Sequence, residues 1–282
     1  MIKETRKFDP RQVMNGETFE IFHYLDTKTH YLDAHFHDFY EIFCFIGGDV
    51  DYWIEGSLYH LKPGDILLIN PTKLHKPVAR EETEKYERIV LWINKKYLAQ
   101  IENGVFEKCF IDAQNTGKLI LRPSANEKTL LMSLANRFVE EFYSDDFLSK
   151  SCSYGMLLEF MTLINRIAIN GESLSVKDTT PTFIADILQY IGQNYDKKLS
   201  LDELASRFFI SKYYLLHEFK KAVGTSVHRY IMLKRLGMAY NLLNEGVQPN
   251  QVSAMCGFSD YTSFFRAFKN EYGISPAQVK NL

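Results

Sequence analysis

The sequence predicts an α+β protein: a β-rich N-terminal barrel or sandwich, a pair of helices, and an all-α C-terminal domain. Three observations predict this class. Short aromatic and β-branched runs recur between turn-forming residues over 17–93. From about residue 125 the apolar residues recur every three or four positions, which is typical of helices. A helical unit is then repeated within the last hundred residues.

Length and composition are those of a two-domain globular protein. The chain has 282 residues, of which 46% are hydrophobic and 24% charged. Its most apolar run, "DILLI" at 65–69, is far shorter than the ~20 residues of a membrane helix, and the first ten residues lack the apolar segment of a secretory signal. The four cysteines form no CxxC pair, which favours reduced thiols. We therefore expect a cytoplasmic protein without a membrane partner.

The charge is distributed unevenly along the chain. Residues 180–282 carry 12 Lys and Arg against 8 Asp and Glu, a net charge of +4. Residues 1–179 carry 21 against 27, a net charge of −6. A basic C-terminal part indicates a polyanionic partner, although surface variation alone also produces such differences.

The N-terminal part is expected to contain a β-domain over 1–125. Its strand candidates are "YEIFCFI" (40–46), "DYWIEG" (51–56), "DILLI" (65–69) and "RIVLWI" (88–93). Two amphipathic helices are expected at 127–143 and 148–168, within a segment 126–169. The polar stretch at 170–181 is predicted to be a linker to the last domain, 182–282.

Two stretches of the last domain repeat each other. They are "FKKAVGTS" at 219–226 and "FKNEYGIS" at 268–275, separated by an offset of 49. The same offset aligns Ala205 with Ala254 and Leu215 with Phe264. The C-terminal domain is therefore predicted to be an internal duplication.

Each copy has the signals of a helix-turn-helix. In the first copy, Ser200 and Glu203 form a capping box, and Ser211 is placed to cap the second helix. In the second copy, Gly257 is expected in the turn and Asp260 at the cap. The expected buried positions are Leu215, Phe219 and Val223 in one copy and Phe264, Phe268 and Tyr272 in the other. One long amphipathic helix over 226–246, with Tyr230, Leu233, Leu236 and Leu243 toward the core, is expected to join the copies.

The opposite face of each second helix is polar and cationic. It is predicted to present Tyr213, Leu216, His217 and Lys220 in the first copy, and Tyr261, Thr262, Phe265, Arg266 and Lys269 in the second. Helices of this kind fit the major groove, where Lys and Arg neutralise phosphates and polar side chains read base edges. Double-stranded DNA is the predicted partner. The alternative is a plain helical repeat with solvated charges.

The stretch "CGFSDYTSFFRAFKNEYGISP" resembles the signature of the AraC/XylS family of transcription regulators, and the resemblance extends over about 198–280. It implies two helix-turn-helix units joined by a long helix. The implied base contacts are Tyr213, Leu216, His217, Tyr261, Thr262, Ser263, Phe265 and Arg266. Leu216 stands where a polar side chain is common, so the first unit is expected to contact a thymine methyl or to contribute little hydrogen bonding.

The pattern "HFHDFYEIFCFIGG…LKPGDILLINPTKLHKP" (35–77) is similar to the cupin-like effector domain of that family, which often binds a sugar. The resemblance implies a small-molecule effector, a homodimer formed through the helices of 126–169, and RNA polymerase as a further partner.

Within the cupin-like pattern, His35, His37 and Glu41 share one face if their strand is unbroken, and His75 follows a later turn. These four residues are candidates for an effector pocket, for a structural polar cluster, or for a metal site. The match to a metal-binding cupin fails at Thr29 and Ala79. We expect effector binding, with no metal and no cofactor.

No sequence motif indicates catalysis, since the chain lacks GxSxG, P-loop, HExxH and GxGxxG patterns. The sequence therefore predicts a ligand-responsive transcription regulator, here expected to be an activator, and not an enzyme. Two alternatives remain. One is a metal-dependent cupin enzyme fused to a DNA-binding tail, and the other is a regulator without an effector.

Overall fold

The computed structural model describes residues 14–26, 34–71, 73–79, 85–170, 173–174 and 182–281. The predicted linker 170–181 and the departure at Thr29 therefore lie largely outside the described residues. Where the predicted linker is described, Ser173–Leu174 form a short strand paired with Ile120–Leu121.

The N-terminal part consists of nine described strands in two antiparallel sheets. The strands are β1 (Phe19–Asp26), β2 (Phe39–Gly47), β3 (Val50–Ile54), β4 (Ser57–His60), β5 (Ile66–Ile69), β6 (His75–Ala79), β7 (Tyr86–Asn94), β8 (Ile120–Leu121) and β9 (Ser173–Leu174). One sheet has the order β1-β7-β2-β5-β8-β9, and the other has the order β4-β3-β6. The two sheets face each other and enclose an aromatic core, which is the barrel that the sequence predicts.

The larger sheet is buried on both faces because the second sheet covers one face and helices cover the other. Successive side chains of a strand point to opposite faces. In β2, Phe43 and Phe45 point between the sheets, whereas Ile42 and Cys44 point to the opposite side. That outer side is covered by helices α1 (Lys95–Gln100), α2 (Lys108–Thr116), α3 (Ala125–Phe142) and α4 (Ser149–Asn170), with a 3-10 helix at Ile101–Glu107 between the first two. The helical pair predicted from the apolar spacing is thus α3 and α4, and it packs directly on the sheet.

The described part of the last hundred residues contains only helices and the turns between them. The elements are α5 (Thr182–Asn194), α6 (Leu201–Arg207), α7 (Lys212–Val223), α8 (Val227–Asn244), α9 (Pro249–Met255), α10 (Tyr261–Tyr272) and a 3-10 helix at Pro276–Asn281. Helices α6 and α7 form one helix-turn-helix, α9 and α10 form the other, and α8 joins them. This confirms the predicted α+β class.

The two helix-turn-helix units differ in their turns. Their second helices are 49 residues apart, but α6 and α9 are only 48 apart, because the second turn has one extra residue. The alignment of Ala205 with Ala254 was therefore wrong. Ala205 is buried and corresponds to the buried Ser253, whereas Ala254 is exposed. The offset of 49 applies to the second helices of the two units, but not to the first helices, which precede turns of different length.

Helix α8 is buried on more than one side, which the prediction of an amphipathic helix did not anticipate. Tyr230 and Leu236 face the helix-turn-helix core as predicted, but Gly237 meets the ring of Phe36 in the barrel. Phe36 lies in the same apolar cluster as Tyr230 and Leu236, and this cluster also includes Trp53 and Leu74 of the barrel. The barrel and the C-terminal domain are thus packed against each other along α8.

Candidate functional site

The outward face of α7 is open to solvent. Ser211 accepts a hydrogen bond from the Tyr214 N–H and begins the helix, and Gly224 ends it in the left-handed conformation. The buried side of the helix is Leu215, Phe219 and Val223, all 0% exposed. The predicted DNA-facing residues lie on the other side and are all exposed. They are Tyr213, Leu216, His217 and Lys220.

Helix α10 repeats this arrangement with a better-defined cap. The Asp260 carboxylate accepts hydrogen bonds from both the N–H and the hydroxyl of Ser263. Phe264 and Phe268 are fully buried. The predicted DNA-facing residues Tyr261, Thr262, Ser263, Arg266 and Lys269 are exposed, and Phe265 is half-buried. Because the Ser263 hydroxyl already donates a hydrogen bond to Asp260, Arg266 and Thr262 are better placed than Ser263 to contact a molecule outside the protein.

Both of these helices rest on α8. The Tyr230 ring meets Phe219 of α7 edge-on, with ring centroids 5.6 Å apart, and the Tyr240 ring stacks on Phe268 of α10 at 6.0 Å. Tyr230 and Tyr240 are ten residues apart, or about 15 Å along the helix axis. One rigid helix therefore fixes the position of both exposed faces.

Three of the four predicted barrel residues come together in the interior. One ligand atom each of His37, Glu41 and His75 lies within 4.8 Å of the others. Their exposed fractions are 2%, 5% and 0%. Strand β2 begins only at Phe39, so His35 is not carried on the same strand face as Glu41. His35 instead forms an isolated β-bridge with His75, and it lies outside the three-residue group.

Neighbouring groups fix the orientation of each side chain in this cluster. The His37 Nδ1 lies 2.9 Å from the Phe39 carbonyl oxygen, and the His75 Nδ1 lies 2.7 Å from the Lys73 carbonyl oxygen. The Glu41 Oε2 accepts a hydrogen bond from the Trp92 indole N–H at 2.9 Å, and it lies 3.1 Å from the His37 Nε2. Sequence reasoning did not find Trp92. The alternation of side chains along β7 points the Trp92 ring into the barrel interior.

Burial keeps both imidazoles neutral. It lowers the pKa of His37 to about 3, partly opposed by the hydrogen bond to Phe39. It lowers the pKa of His75 well below the usual value, and the neighbouring His35 and His37 act in the same direction. A neutral imidazole offers one N–H and one lone pair. Since a carbonyl oxygen only accepts, the hydrogen lies on Nδ1 in each ring and the lone pair lies on Nε2.

A second polar network, not predicted from the sequence, connects the barrel to α8. Glu55 lies in the β3–β4 turn with a positive φ of 48°. Its carboxylate accepts hydrogen bonds from the Leu74 N–H and from the Lys234 ammonium, both at 2.6 Å. Burial opposes ionisation of Glu55, but the charges of Lys234 and Lys73 outweigh it, so the pKa of this carboxyl is lowered. A carboxylate held in this way ties the barrel to the middle of α8.

The same interface contains Asp38, which accepts hydrogen bonds from Lys95 at 2.9 Å and from the Asn244 amide of α8 at 2.6 Å. Burial raises the pKa of Asp38, and the Lys95 ammonium only partly offsets this. A cavity of about 220 Å³ opens beside these residues, and His37, Glu41 and His75 are not among the residues that line it. Tyr240 and Phe39 also line it.

Comparison with known proteins agrees with this architecture. Residues 20–106 match the family described as AraC-like ligand binding domain, and residues 204–281 match a helix-turn-helix domain family. A ligand-binding barrel followed by two helix-turn-helix units defines a DNA-binding transcriptional regulator. The chain belongs to the AraC family of these regulators. None of its described helices is long and apolar enough to cross a membrane.

The chain is similar to transcriptional regulators over most of its length. The probable transcriptional regulator LumQ of Photobacterium leiognathi is 29% identical over 251 residues, which cover 87% of this chain and 91% of LumQ. The transcriptional activator RhaS of Mannheimia succiniciproducens is 26% identical over 254 residues, covering 87% and 88%. Among solved structures, fatty acid-bound ToxT of Vibrio cholerae aligns with a TM-score of 0.40 at 15% identity, covering 94% of this chain and 96% of ToxT.

Proposed function

We propose that this regulator reads two successive major grooves of one DNA duplex with the exposed faces of α7 and α10. The observation that carries the proposal is the attachment of both helices to one rigid helix, through Tyr230 and Tyr240. A major groove is about 12 Å wide and admits one helix, and successive turns of the duplex repeat at about 34 Å. The net positive charge of residues 180–282 favours the phosphate backbone.

The proposed roles of the exposed residues follow from their chemistry. Arg266 carries a planar fork of N–H donors that suits a guanine edge, and Lys220 and Lys269 are point charges for phosphates. Leu216 is 41% exposed and has no polar atom on its side chain, so it contributes an apolar contact to a thymine methyl. The first unit then reads fewer bases by hydrogen bonding than the second.

The test compares Arg266→Ala with Lys269→Ala by titrating full-length protein against a cognate duplex and a scrambled duplex. Arg266→Ala is expected to weaken binding to the cognate duplex by ~1–3 kcal/mol and to relax specificity at one position. Lys269→Ala is expected to weaken both duplexes equally and to reduce the salt slope by about one. Lys220→Ala, in the first unit, is expected to have the same effect as Lys269→Ala. Equal loss on both duplexes for Arg266→Ala would contradict its reading role.

We further propose that the barrel binds a small effector, a sugar or a sugar derivative, through His35, His37, Glu41 and His75. Lone pairs and a carboxylate beside the Trp92 and Tyr52 rings are the groups that recognise sugar hydroxyls and ring faces. A thermal-shift screen with a sugar panel tests this, since a ligand at 100 times its Kd adds about 2.7 kcal/mol of stability. The shift should disappear in His75→Ala and persist in Asn244→Ala, which alters the interface cavity. The opposite result would place the effector at the interface.

The coupling between the two domains is proposed to run through the contact of the barrel with α8, in addition to the linker. Glu55 and Asp38 supply polar contacts to α8, and Phe36 supplies the apolar one. An effector acts on this contact only through its differential affinity for the docked and released arrangements. The proposal includes a homodimer formed through α3 and α4, where Leu130 and Leu158 are exposed. It also includes a cytoplasmic location and RNA polymerase as a further partner.

A further inference from the structure

The cluster of His37, Glu41 and His75 has a feature that a purely hydrogen-bonded cluster does not explain. Both rings donate Nδ1–H to backbone carbonyls, so both Nε2 atoms point lone pairs toward the centre of the cluster. The His75 Nε2 is buried and has no hydrogen-bond partner among the described residues. The His37 Nε2 faces the Glu41 Oε2, another acceptor, at 3.1 Å. Three acceptors thus converge where a positive charge would satisfy all of them.

We propose that His37, Glu41 and His75 bind one divalent first-row transition-metal ion through His37 Nε2, a Glu41 carboxylate oxygen and His75 Nε2. The proposal concerns the barrel site of the proposed function and does not depend on DNA binding. It departs from the expectation of a metal-free barrel, and it leaves His35 out of the ligand set.

The donor set selects the class of metal. Two imidazole nitrogens and one carboxylate oxygen suit Zn²⁺, Fe²⁺ or Co²⁺, whereas Ca²⁺ and Mg²⁺ prefer oxygen ligands only. Ligand atoms around a tetrahedral zinc are about 3.4 Å apart, so the present spacing within 4.8 Å requires only a small contraction. Three protein ligands leave one coordination position open, and an oxygen of the effector is the proposed fourth ligand.

The surroundings of the cluster are those of a prepared ligand set. Metal-binding histidines characteristically donate their other N–H to a carbonyl or carboxylate, which fixes the tautomer and the ring orientation. Here the two carbonyls are those of Phe39 and Lys73. The His37 ring also stacks on Phe39 with centroids 3.9 Å apart and 3° between the planes, and the Trp92 N–H holds the carboxylate. The positions of all three ligands are therefore set by neighbouring residues.

The test uses full-length protein, freed of metal with a chelator and then titrated with Co²⁺ followed through its absorption spectrum. About one Co²⁺ per chain is expected, displaced by Zn²⁺, with a rise in melting temperature. Glu41→Gln keeps the shape of the side chain and should weaken binding by at least about tenfold, and so should His75→Ala. His23→Ala is the matched control. His23 is also buried and pairs with a glutamate, the half-buried Glu87, but it is not part of a described group of three.

Two results would overturn the proposal. One is wild-type protein that takes up less than about 0.1 Co²⁺ and less than about 0.1 Zn²⁺ per chain. The other is a folded Glu41→Gln variant that binds as tightly as the wild type. If His75→Ala fails to fold, the wild-type stoichiometry and Glu41→Gln still decide the question. A sugar-induced thermal shift in metal-free protein would separate a failed metal site from a failed effector site.

Discussion

Gly237→Ala is expected to loosen the contact between the barrel and α8. A Cβ atom at this position would lie 2.3 Å from Cε2 of Phe36 and 2.7 Å from Cζ. Since carbon atoms in contact are about 3.5–4.0 Å apart, the Phe36 ring must move by more than about 1 Å. The ring is 5% exposed, so it has little free space to move into.

The magnitude follows from two opposing effects. Overpacking of a filled site costs ~1–3 kcal/mol. Replacement of glycine by alanine inside a helix contributes about 1 kcal/mol of stability. The net expectation is a loss of ~0–2 kcal/mol with Phe36 present. With Phe36→Ala, which removes the clashing atoms, the same substitution should gain about 1 kcal/mol, so its sign reverses or its cost vanishes.

The assay is a double-mutant cycle on Gly237→Ala and Phe36→Ala, measured by urea unfolding with tryptophan fluorescence. Trp53 is a suitable probe because it lies in the same apolar cluster as Phe36 and is 2% exposed. The structure predicts a coupling energy of ~1–3 kcal/mol. A coupling below about 0.5 kcal/mol would show that the barrel does not rest on α8 in solution as it does here.

Three further predictions concern single positions. The pKa of Glu55 lies below its ordinary value of 4.5, so its ionised form stabilises the docked arrangement at neutral pH, and this contribution is lost as the pH falls below that value. Glu55→Gln should remove this component of the acid-induced unfolding transition, and an unchanged transition would refute the pairing with Lys234. Ser211→Ala should cost about 1 kcal/mol by removing the N-cap of α7, whereas Ser211→Asp should retain most of the stability; equal unfolding midpoints for both variants would contradict the cap. Phe209 is 95% exposed with a φ of 55°, a conformation that glycine adopts more readily than other residues, so Phe209→Gly should raise the free energy of unfolding by about 0.5 kcal/mol in a thermal melt. A lower free energy of unfolding would indicate a contact of the ring that the structure does not show.

The helix-turn-helix units were predictable because their signals are local. Capping residues such as Ser200 and Asp260, and apolar residues four positions apart, act within one or two turns of helix. The repeat distance was predictable only where both copies keep the same length. The extra residue before Asp260 lies in an irregular turn, where the sequence has no periodicity that would reveal it.

The candidate barrel site was predictable in its residue types but not in its geometry. Strand alternation placed His35 with His37, but β2 begins only at Phe39. The third member, His75, is brought to Glu41 by the packing of the two sheets, which no local pattern encodes. For the same reason the second buried side of α8 could not be foreseen. Glycine is an unfavourable residue inside a helix, and the close approach of the Phe36 ring explains its presence at position 237.

The barrel cluster and α8 are physically connected through very few bonds. Leu74 precedes His75, and the Leu74 N–H donates to the same Glu55 oxygen that accepts from Lys234 of α8. A displacement of residues 73–75 therefore alters the partner that holds Lys234. Because α8 supports α7 and α10 together, such a change would act on both exposed faces at once and not on one alone. Whatever binds at His75 more tightly in one arrangement than in the other thus biases the position of the exposed faces of α7 and α10.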